Sequence, residues 1–254
     1  MIDTRTVVSR LQAIESLAII PRVASTNLIA RRIVNECIEN ELSLPQAMII
    51  AREQLAGRGR NQRAWSSPAG KGIYATTLVT RTAQEMGLMP LSIATIIAGY
   101  LIDVFQIPAR IKWPNDILVD GRKIAGILIE GRVQDDRAFL AVGTGVNLEP
   151  VRDDDRPNAT SIREVAEPAW RGTDDAILSF IEHMDRGLQR RDGRETVLAS
   201  WRKLSSHKEG DSVRCVIGDR TVSGTWSRID DHGRAILQTD AGELAVSAGD
   251  LIAS

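Results

Sequence analysis

Apolar residues recur along much of the chain with the period of an α-helix. Their spacing predicts helices over residues 6–18, 28–38 and 88–105, and a longer helical stretch over 173–204 that breaks at Gly193. Residues 88–105 are apolar on nearly every side, which is typical of a helix buried all round. We therefore expect this segment to pack against a sheet in the centre of the protein.

Shorter apolar runs have the length of buried strands. They cover residues 47–51, 73–80 and 139–142. The run 47–51 leads directly into a segment rich in glycine and arginine. Since loops that follow a buried strand often carry ligand contacts, the end of this strand is a first candidate for a binding site.

A two-residue turn signal, Asp120-Gly121, lies between two apolar strands and predicts a hairpin. Folding about this turn pairs the strands in one register: Val119 with Arg122, Leu118 with Lys123, Asp116 with Ala125, and Asn115 with Gly126. Because side chains alternate along a strand, Lys112, Asp116 and Lys123 should share one face. That face is either a chemical site or a solvated surface. Gly126 leaves a bare spot where a ligand could lie on the backbone.

The composition changes after residue 205. Short alternating strands follow over 213–217, 221–226, 235–239 and 243–246, separated by turn residues. This pattern predicts a small all-β barrel. We therefore expect two domains, with bounds 1–206 and 207–254.

The segment 54–65 carries three arginines within six residues, Arg58, Arg60 and Arg63, interleaved with Gly57 and Gly59. Glycine lets the backbone approach a ligand, and the guanidinium fork matches phosphate and carboxylate oxygens. The pattern fits a loop that folds down on an anion. A solvated basic surface loop is the alternative interpretation.

Two common phosphate-binding patterns do not fit this region. Gly70-Lys71 has Trp65 where a P-loop needs glycine, and Gly72 where it needs serine or threonine. Gln62 stands where the third glycine of a dinucleotide-binding loop belongs. Any anion site here must therefore be of another kind.

Composition and charge limit the function further. The chain of 254 residues is 43% hydrophobic and 26% charged, as in a globular protein with a packed core, and its net charge of -1 gives no basic field for nucleic acid. Two distant cysteines and three scattered histidines form no metal pattern. No apolar run reaches the length of a membrane span, and the N-terminus does not resemble a secretory signal. We expect a cytoplasmic protein.

The polar triplet Ser25-Thr26-Asn27 precedes the helix predicted over 28–38. Such residues either cap the helix or, together with its free N–H groups, face a ligand. A second polar candidate, Asn147, follows glycines after the run 139–142. The sequence offers no nucleophile–base constellation.

Taken in order, these motifs resemble those of the biotin protein ligases. The matching residues are Ser25-Thr26-Asn27, Gln54 with Gly57-Arg58-Gly59-Arg60, Arg63, Trp65, Ser67-Pro68, Gly70, Lys112-Trp113-Pro114-Asn115-Asp116, Lys123, Gly126, Glu130, Gly145 and Asn147. The match covers residues 20–165 and the small C-terminal module. The Trp-Pro-Asn-Asp and Gly-Arg-Gly-Arg motifs together are specific, whereas either alone is weak.

The resemblance implies an α+β fold: a mixed or antiparallel sheet packed against helices, of the class II synthetase type, followed by a small SH3-like barrel. It also implies a two-step reaction. The biotin carboxylate attacks the α-phosphate of ATP in the presence of Mg²⁺, and the amine of a lysine on a biotin carboxyl carrier protein then attacks biotinyl-5′-AMP. An exposed edge of the sheet could pair two subunits as a homodimer, and no membrane partner is expected.

The resemblance further implies a role for each matched residue. Biotin contacts would come from Ser25, Thr26, Asn27, Gln54, Gly57, Arg58, Gly59, Arg60, Lys123 and Gly126. Adenylate contacts would come from Arg58, Arg60, Arg63, Trp65, Asn115, Lys123 and Asn147. The catalytic set would be Lys123, Arg58, Lys112 and Asp116, and no residue is assigned to a protein-bound metal.

Two departures from the family pattern affect the expectations. Asn61-Gln62 replaces an Arg-Gly pair in the loop, which removes a charge and a flexible glycine and should alter loop closure. Few residues precede Ser25, so no DNA-binding domain or repressor activity is expected. A lipoate or octanoate ligase or transferase of the same fold is the alternative enzyme. A non-catalytic ligand-sensing or DNA-binding module is the alternative outside enzymes.

Overall fold

The computed structural model describes residues 2–150, 158–166, 169–218 and 220–253 of the chain. Its centre is a mixed sheet, here the large sheet, to which the described residues contribute seven strands. The strands are β1 (Ser16–Ile20), β2 (Ala47–Ala51), β3 (Gly72–Thr82), β4 (Arg110–Lys112), β5 (Asp116–Val119), β6 (Arg122–Gln134) and β7 (Arg137–Asn147). They lie in the order β1-β2-β3-β7-β6-β5-β4. β1 is parallel to β2, and the other neighbours are antiparallel.

Helices cover both faces of the large sheet. They are α1 (Thr4–Val8), α2 (Thr26–Glu39), α3 (Met89–Phe105), α4 (Ile162–Val165), α5 (Thr173–Arg190) and α6 (Arg194–Leu204). Side chains alternate along β7, so Phe139 packs in the cluster under α2 while Leu140 packs in the main core with α3. The predicted helices 28–38, 88–105 and 173–204, with its break, are confirmed.

The first predicted helix is wrong over most of its length. Helix α1 ends at Val8, and Ser16–Ile20 forms β1 at the edge of the large sheet. The carboxylate of Asp185 on α5 accepts hydrogen bonds from the backbone N–H groups of Gln12, Ala13 and Ile14 at 2.8–3.2 Å. These bonds satisfy donors that a helix would need, so the chain leaves the helical path here.

Helix α3 meets the length and composition of a membrane-crossing helix when the preceding 3₁₀ turn is included. The stretch Ala83–Phe105 has 23 residues, and an 18-residue window within it has a mean hydropathy of 1.9. The expectation that no apolar stretch reaches this length is therefore wrong. Leu91, Ile93 and Ile97 are nonetheless buried in the main core, and the Tyr100 hydroxyl donates to the Ala176 carbonyl of α5 at 2.8 Å. α3 is a core helix.

The hairpin forms about the predicted turn, where Asp120 and Gly121 both have positive φ (49° and 76°). Val119 pairs with Arg122 and Leu118 with Lys123, as predicted. Beyond them the register shifts, because Ile124 is an extra residue in β6. The predicted pairs of Asp116 with Ala125 and of Asn115 with Gly126 are thus wrong: Asp116 lies opposite Gly126.

The C-terminal strands form a separate antiparallel sheet, here the small sheet, to which the described residues contribute five strands. They are β8 (Ser212–Ile217), β9 (Arg220–Ile229), β10 (Ala235–Thr239), β11 (Gly242–Val246) and β12 (Asp250–Ala253), in the order β11-β10-β9-β8-β12. Four of them were predicted and β12 was not. The α+β fold class is confirmed. The SH3-like closure and the domain bounds 1–206 and 207–254 stay predictions.

The small sheet is anchored to the large-sheet part of the molecule. The Trp113 indole N–H donates to the Gly233 carbonyl at 3.0 Å, and the Ser206 backbone N–H donates to the Ile111 carbonyl at 2.8 Å. His207 stacks on Trp226 with ring centroids 4.5 Å apart. These contacts fix where the last strand, β12, lies relative to the turn between β4 and β5.

Candidate active site

A cavity of about 590 Å³ opens where the arginine loop (residues 54–65), the start of α2 and strands β5, β6 and β7 meet. Most of the residues singled out by the sequence line it: Ser25, Thr26, Asn27, Gln54, Arg58, Gly59, Arg60, Arg63, Trp65, Asn115, Asp116, Lys123, Gly126 and Asn147. Gly57 and Lys112 are not among the described residues of its wall. Motifs spread over more than a hundred residues of sequence thus converge on one cavity.

The two residues outside the wall have other surroundings. A side chain at Gly57 would lie 2.6 Å from Ser67 Oγ, so this glycine allows close packing beneath the arginine loop. Lys112 lies on β4 opposite Asp116. The pKa of His207 is lowered to about 4. Burial is the larger cause, and the positive charge of Lys112 acts in the same direction. His207 Nε2 accepts a hydrogen bond from the Trp113 backbone N–H at 3.1 Å, as a neutral imidazole does.

One end of the cavity is a polar wall formed by the buried residues Ser25, Thr26 and Asn27 and by the half-buried Gln54. The backbone N–H and hydroxyl of Thr26 both donate to Gln54 Oε1, at 2.8 and 3.1 Å, and Gln54 Nε2 donates to Ser67 Oγ at 2.9 Å. Ser25 is the N-cap of α2 by position, yet its side chain makes no capping hydrogen bond. The simple helix-cap interpretation therefore does not account for this serine.

Asn27 is held by two strands of the large sheet, β6 and β3. Its Nδ2 donates to Glu130 Oε2 at 3.0 Å and to the Leu128 carbonyl at 3.3 Å, and its Oδ1 accepts from the Thr76 hydroxyl at 2.6 Å. Thr76 is fully buried in β3. A hydrogen-bonded network of this kind holds the side chain of Asn27 in one orientation towards the cavity.

The floor of the cavity consists of glycines from two neighbouring strands, Gly126 on β6 and Gly143 and Gly145 on β7. A Cβ at Gly145 would lie 2.6 Å from Trp65 Nε1 and 2.7 Å from Trp65 Cζ2. The glycine floor therefore lets the indole of Trp65 lie against the backbone of β7. The sequence had placed Gly143 and Gly145 after the strand, whereas β7 runs through them to Asn147.

Lys123 lies at the centre of the cationic end. Its Nζ is 2.6 Å from Asp116 Oδ1 and 5.2 Å from the ring centroid of Trp65. Asn147 Nδ2 donates to the carbonyls of Thr160, at 2.9 Å, and of Lys123, at 3.4 Å. The hairpin pattern predicted that Lys112, Asp116 and Lys123 share one face. Lys123 and Asp116 are in contact, whereas Lys112, opposite Asp116 on β4, lies outside the described wall of the cavity. A fixed ammonium group can stabilise negative charge that develops on a ligand.

The arginine loop folds back on itself over the cavity. The Gly59 N–H donates to the Arg63 carbonyl at 2.8 Å, and the Trp65 N–H donates to the Gly57 carbonyl at 2.9 Å. Asn61 and Gln62 form the turn with positive φ of 52° and 58°. Gln62 thus takes the left-handed conformation at the position where the family pattern has glycine.

Each arginine of the loop has an oxygen partner. Arg58 Nη1 lies 3.7 Å from Glu130 Oε1. Arg60 Nη1 donates to Asn115 Oδ1 at 2.9 Å and lies 3.6 Å from Asp250 Oδ1, and Arg63 also pairs with Asp250. The loop is therefore closed by contacts to two separate parts of the fold.

Sequence reasoning missed three contributors to this cavity: Thr76, Glu130 as a partner of Asn27 and Arg58, and Asp250. Thr76 had a local signal, since Thr76-Thr77 interrupts an apolar strand. Glu130 was part of a motif that the sequence singled out, but it was given no role. Asp250 had no signal, because it comes from the small sheet and lies 190 residues from Arg60 along the chain.

Comparison with known proteins agrees with this architecture. A family model described as "Biotin/lipoate A/B protein ligase family" matches residues 19–147. One described as "Biotin protein ligase C terminal domain" matches residues 210–252. A mixed sheet with a cationic cavity and this pair of matches define the class: the chain belongs to the biotin/lipoate A/B protein ligase family.

Within this family, the chain groups with the biotin protein ligases. The biotin–[acetyl-CoA-carboxylase] ligase of Mycobacterium tuberculosis is 30% identical over 93% of this chain and 88% of its own length. That of Paracoccus denitrificans is 32% identical over 81% and 89%. The bifunctional ligase/repressor BirA of Escherichia coli is 30% identical over 89% of this chain and 70% of its own.

Solved structures share the fold at lower identity. The biotin protein ligase of Aquifex aeolicus in complex with biotin and ATP has a TM-score of 0.73 and 22% identity, and the match covers 94% of this chain and 100% of that one. The Leishmania major enzyme in complex with biotinyl-5-AMP has a TM-score of 0.64 and 23% identity, over 92% and 99%. The predicted family and fold are confirmed.

Proposed function

We propose that the chain is an ATP-dependent biotin–protein ligase whose reaction takes place in this cavity. The observation that carries the proposal is the pairing of two unlike ends: a buried neutral polar wall, and a cationic end with Lys123 and the arginine loop. Biotin has a neutral, hydrogen-bonding ureido ring at one end and a carboxylate at the other. The polar wall suits the ureido ring, and the cationic end suits the biotin carboxylate and the α-phosphate of ATP.

In the first step, an oxygen of the biotin carboxylate attacks the α-phosphorus of ATP. The bond from the α-phosphorus to the oxygen that bridges the α- and β-phosphates breaks. Pyrophosphate leaves, and biotinyl-5′-AMP forms. Lys123 and Arg58 hold the two reacting anions together and stabilise the charge of the transition state. Arg60, Arg63, Asn115 and Asn147 contact the nucleotide, and Trp65 shields it from water.

Mg²⁺ enters this scheme as part of the substrate MgATP. Among the residues that the structure describes, no group of three histidines, cysteines or carboxylates could hold a metal ion. The cavity carboxylates Asp116 and Asp250 are paired with basic side chains. A magnesium ion bound mostly by substrate phosphates and water fits such a site.

In the second step, the uncharged ε-amine of a carrier lysine attacks the acyl carbon of biotinyl-5′-AMP. An amide forms, AMP leaves, and the amine loses a proton. Asp116 lines the hairpin side of the cavity, where the carrier lysine would enter, and Lys112 lies opposite it on β4, outside the described wall. The carrier is the biotin carboxyl carrier protein of a biotin-dependent carboxylase, and the reaction takes place in the cytoplasm. A homodimer through an edge strand of the large sheet is the proposed assembly.

The polar wall should favour binding of biotin over the lipoyl or octanoyl groups that the alternative enzymes use. A dithiolane ring or an alkyl chain would leave buried hydrogen-bonding groups without partners, which costs about 1–3 kcal/mol for each group. The test supplies purified protein with MgATP, a biotin carrier domain or a lipoyl domain, and biotin, lipoate or octanoate in turn. Mass spectrometry should show an acylated carrier with biotin. Acylation only with lipoate or octanoate would overturn the proposal.

A further inference from the structure

The carboxylate of Asp250 joins the small sheet to the tip of the arginine loop. It pairs with Arg60 and Arg63 and accepts from Asn61 Nδ2 at 3.3 Å. The neighbouring Gly249 carbonyl accepts from Arg60 Nη1 at 3.3 Å. The tip of the loop thus meets the start of β12 through three side chains at once.

Asp250 is itself held in a fixed place. It pairs with Val216 in the β12–β8 ladder, and a Cβ on Gly249 would lie 2.9 Å from Cys215 Sγ. The small sheet is in turn fastened through Trp113 to the segment that carries Asn115. The carboxylate therefore has a fixed position relative to the cavity, and the loop tip closes against a rigid partner.

The loop needs such a partner because its own backbone opposes the closed form. Asn61 and Gln62 both have positive φ although neither is glycine, and this left-handed conformation is unfavourable for a residue that carries a Cβ. Asn61, which departs from the family pattern, uses its side chain to reach Asp250. The departure removes a charge and a glycine from the loop, and Asn61 contacts the small sheet through its amide group.

The contacts to Asp250 leave other donors of Arg60 for a ligand. Each Arg60 contact described above uses Nη1: to Asn115 Oδ1, to the Gly249 carbonyl and to Asp250 Oδ1. A guanidinium group has five N–H donors in a fixed plane. Holding it through one nitrogen therefore orients the remaining donors without removing them from use by a phosphate.

We propose that Asp250 is a positioning residue that holds the arginine loop closed over the cavity, so that the small sheet takes part in retaining the bound acyl-adenylate. This inference rests on the proposed function for its ligand, but its structural part does not. Loss of the carboxylate opens the loop in the free protein, speeds release of the acyl-adenylate and raises the KM for ATP.

The structural part is tested without any substrate. Trypsin cleaves after arginine, so cleavage at Arg58, Arg60 and Arg63 reports opening of the loop. Asp250→Asn should raise the cleavage rate in this segment about tenfold, the effect of losing one charge-assisted hydrogen bond. Glu243→Gln is the matched control, because it removes the Glu243–Arg228 ion pair (3.0 Å) from the same small sheet. Equal cleavage in Asp250→Asn and the wild type would overturn the proposal.

The functional part is tested by a chase. Protein loaded with biotinyl-5′-AMP is diluted into unlabelled biotin and ATP, and release is followed. Asp250→Asn should release the adenylate about tenfold faster, Asp250→Glu should restore part of the retention, and Glu243→Gln should match the wild type. A lower KM for ATP or slower release in Asp250→Asn would show that this carboxylate competes with the phosphates, and would contradict the proposal.

The two failures are distinguishable. If the wild type forms no biotinyl-5′-AMP, the proposed function fails, while the protease result still decides whether Asp250 holds the loop. If the wild type forms and retains the adenylate but Asp250→Asn behaves identically, only the role of Asp250 fails.

Discussion

Gly145→Ala tests whether the glycine floor sets the position of Trp65 and, through it, the chemistry. The added Cβ would lie 2.6 Å from Trp65 Nε1 and 2.7 Å from Trp65 Cζ2, whereas ordinary van der Waals contact begins near 3.4 Å. The indole must therefore move by about 1 Å, because the backbone of β7 is held by β3 and β6 on either side. The methyl group would also occupy part of the floor.

We expect the folded state to survive this change with a loss of about 1–3 kcal/mol, which is typical of adding one methyl group to a packed site. A displacement of about 1 Å at a reacting centre can lower a rate about 100-fold, so adenylation should fall by roughly that factor. The assay is biotin-dependent exchange of labelled pyrophosphate into ATP, followed together with tryptophan fluorescence and the unfolding transition.

Gly193→Ala is the matched control, because a Cβ there meets no described atom within 4 Å. It should leave the exchange rate within about twofold of the wild type. If Gly145→Ala also exchanges pyrophosphate at the wild-type rate while remaining folded, the position of Trp65 on the floor has no part in the reaction and this reasoning is refuted.

Three further changes test other parts of the account. Lys123→Met removes the ammonium that lies 2.6 Å from Asp116 and should lower adenylation by about 10³. Lys203→Met, at an exposed residue of α6, is the control, and equal rates in the two variants would show that Lys123 takes no part in the reaction. His207 has a pKa lowered from 6.5 to about 4, so the folded state favours the neutral ring. The resulting stability is complete above pH 6.5 and is lost as pH falls towards 4. Over that pH interval the free energy of unfolding, measured with urea, should therefore fall by about 2 kcal/mol less in His207→Gln than in the wild type. The same pH dependence in both proteins would contradict the stated cause. Asp185→Asn should destabilise the fold by about 2 kcal/mol, because one carboxylate serves three backbone N–H groups; an unchanged urea midpoint would contradict this role.

The sequence predicted the parts of the site that depend on local geometry. Asp120-Gly121 set the turn, and strand alternation then placed Asp116 and Lys123 together. The one-residue shift near Ile124 changed two predicted pairs, yet Asp116 and Lys123 still meet. Turn chemistry and strand period act over a few residues, so they can be inferred without the rest of the fold.

Contacts between distant segments could not be inferred in the same way. The apolar spacing of residues 6–18 suits a helix, but three hydrogen bonds to Asp185 redirect the chain there. Asp250 meets the arginine loop only because the small sheet packs beside the large one. In both cases a carboxylate that is distant along the chain makes the hydrogen bonds or ion pairs that set the local structure. No local sequence pattern predicts these contacts.

The central claim is that the cavity joins a carboxylate to the α-phosphate of ATP, and biotin-dependent pyrophosphate exchange in the absence of any carrier protein measures this directly. The wild type should incorporate labelled pyrophosphate into ATP only when biotin is present. Lys123→Met should lose this exchange while remaining folded. Exchange that does not require biotin, or no exchange by a folded wild type, would contradict it.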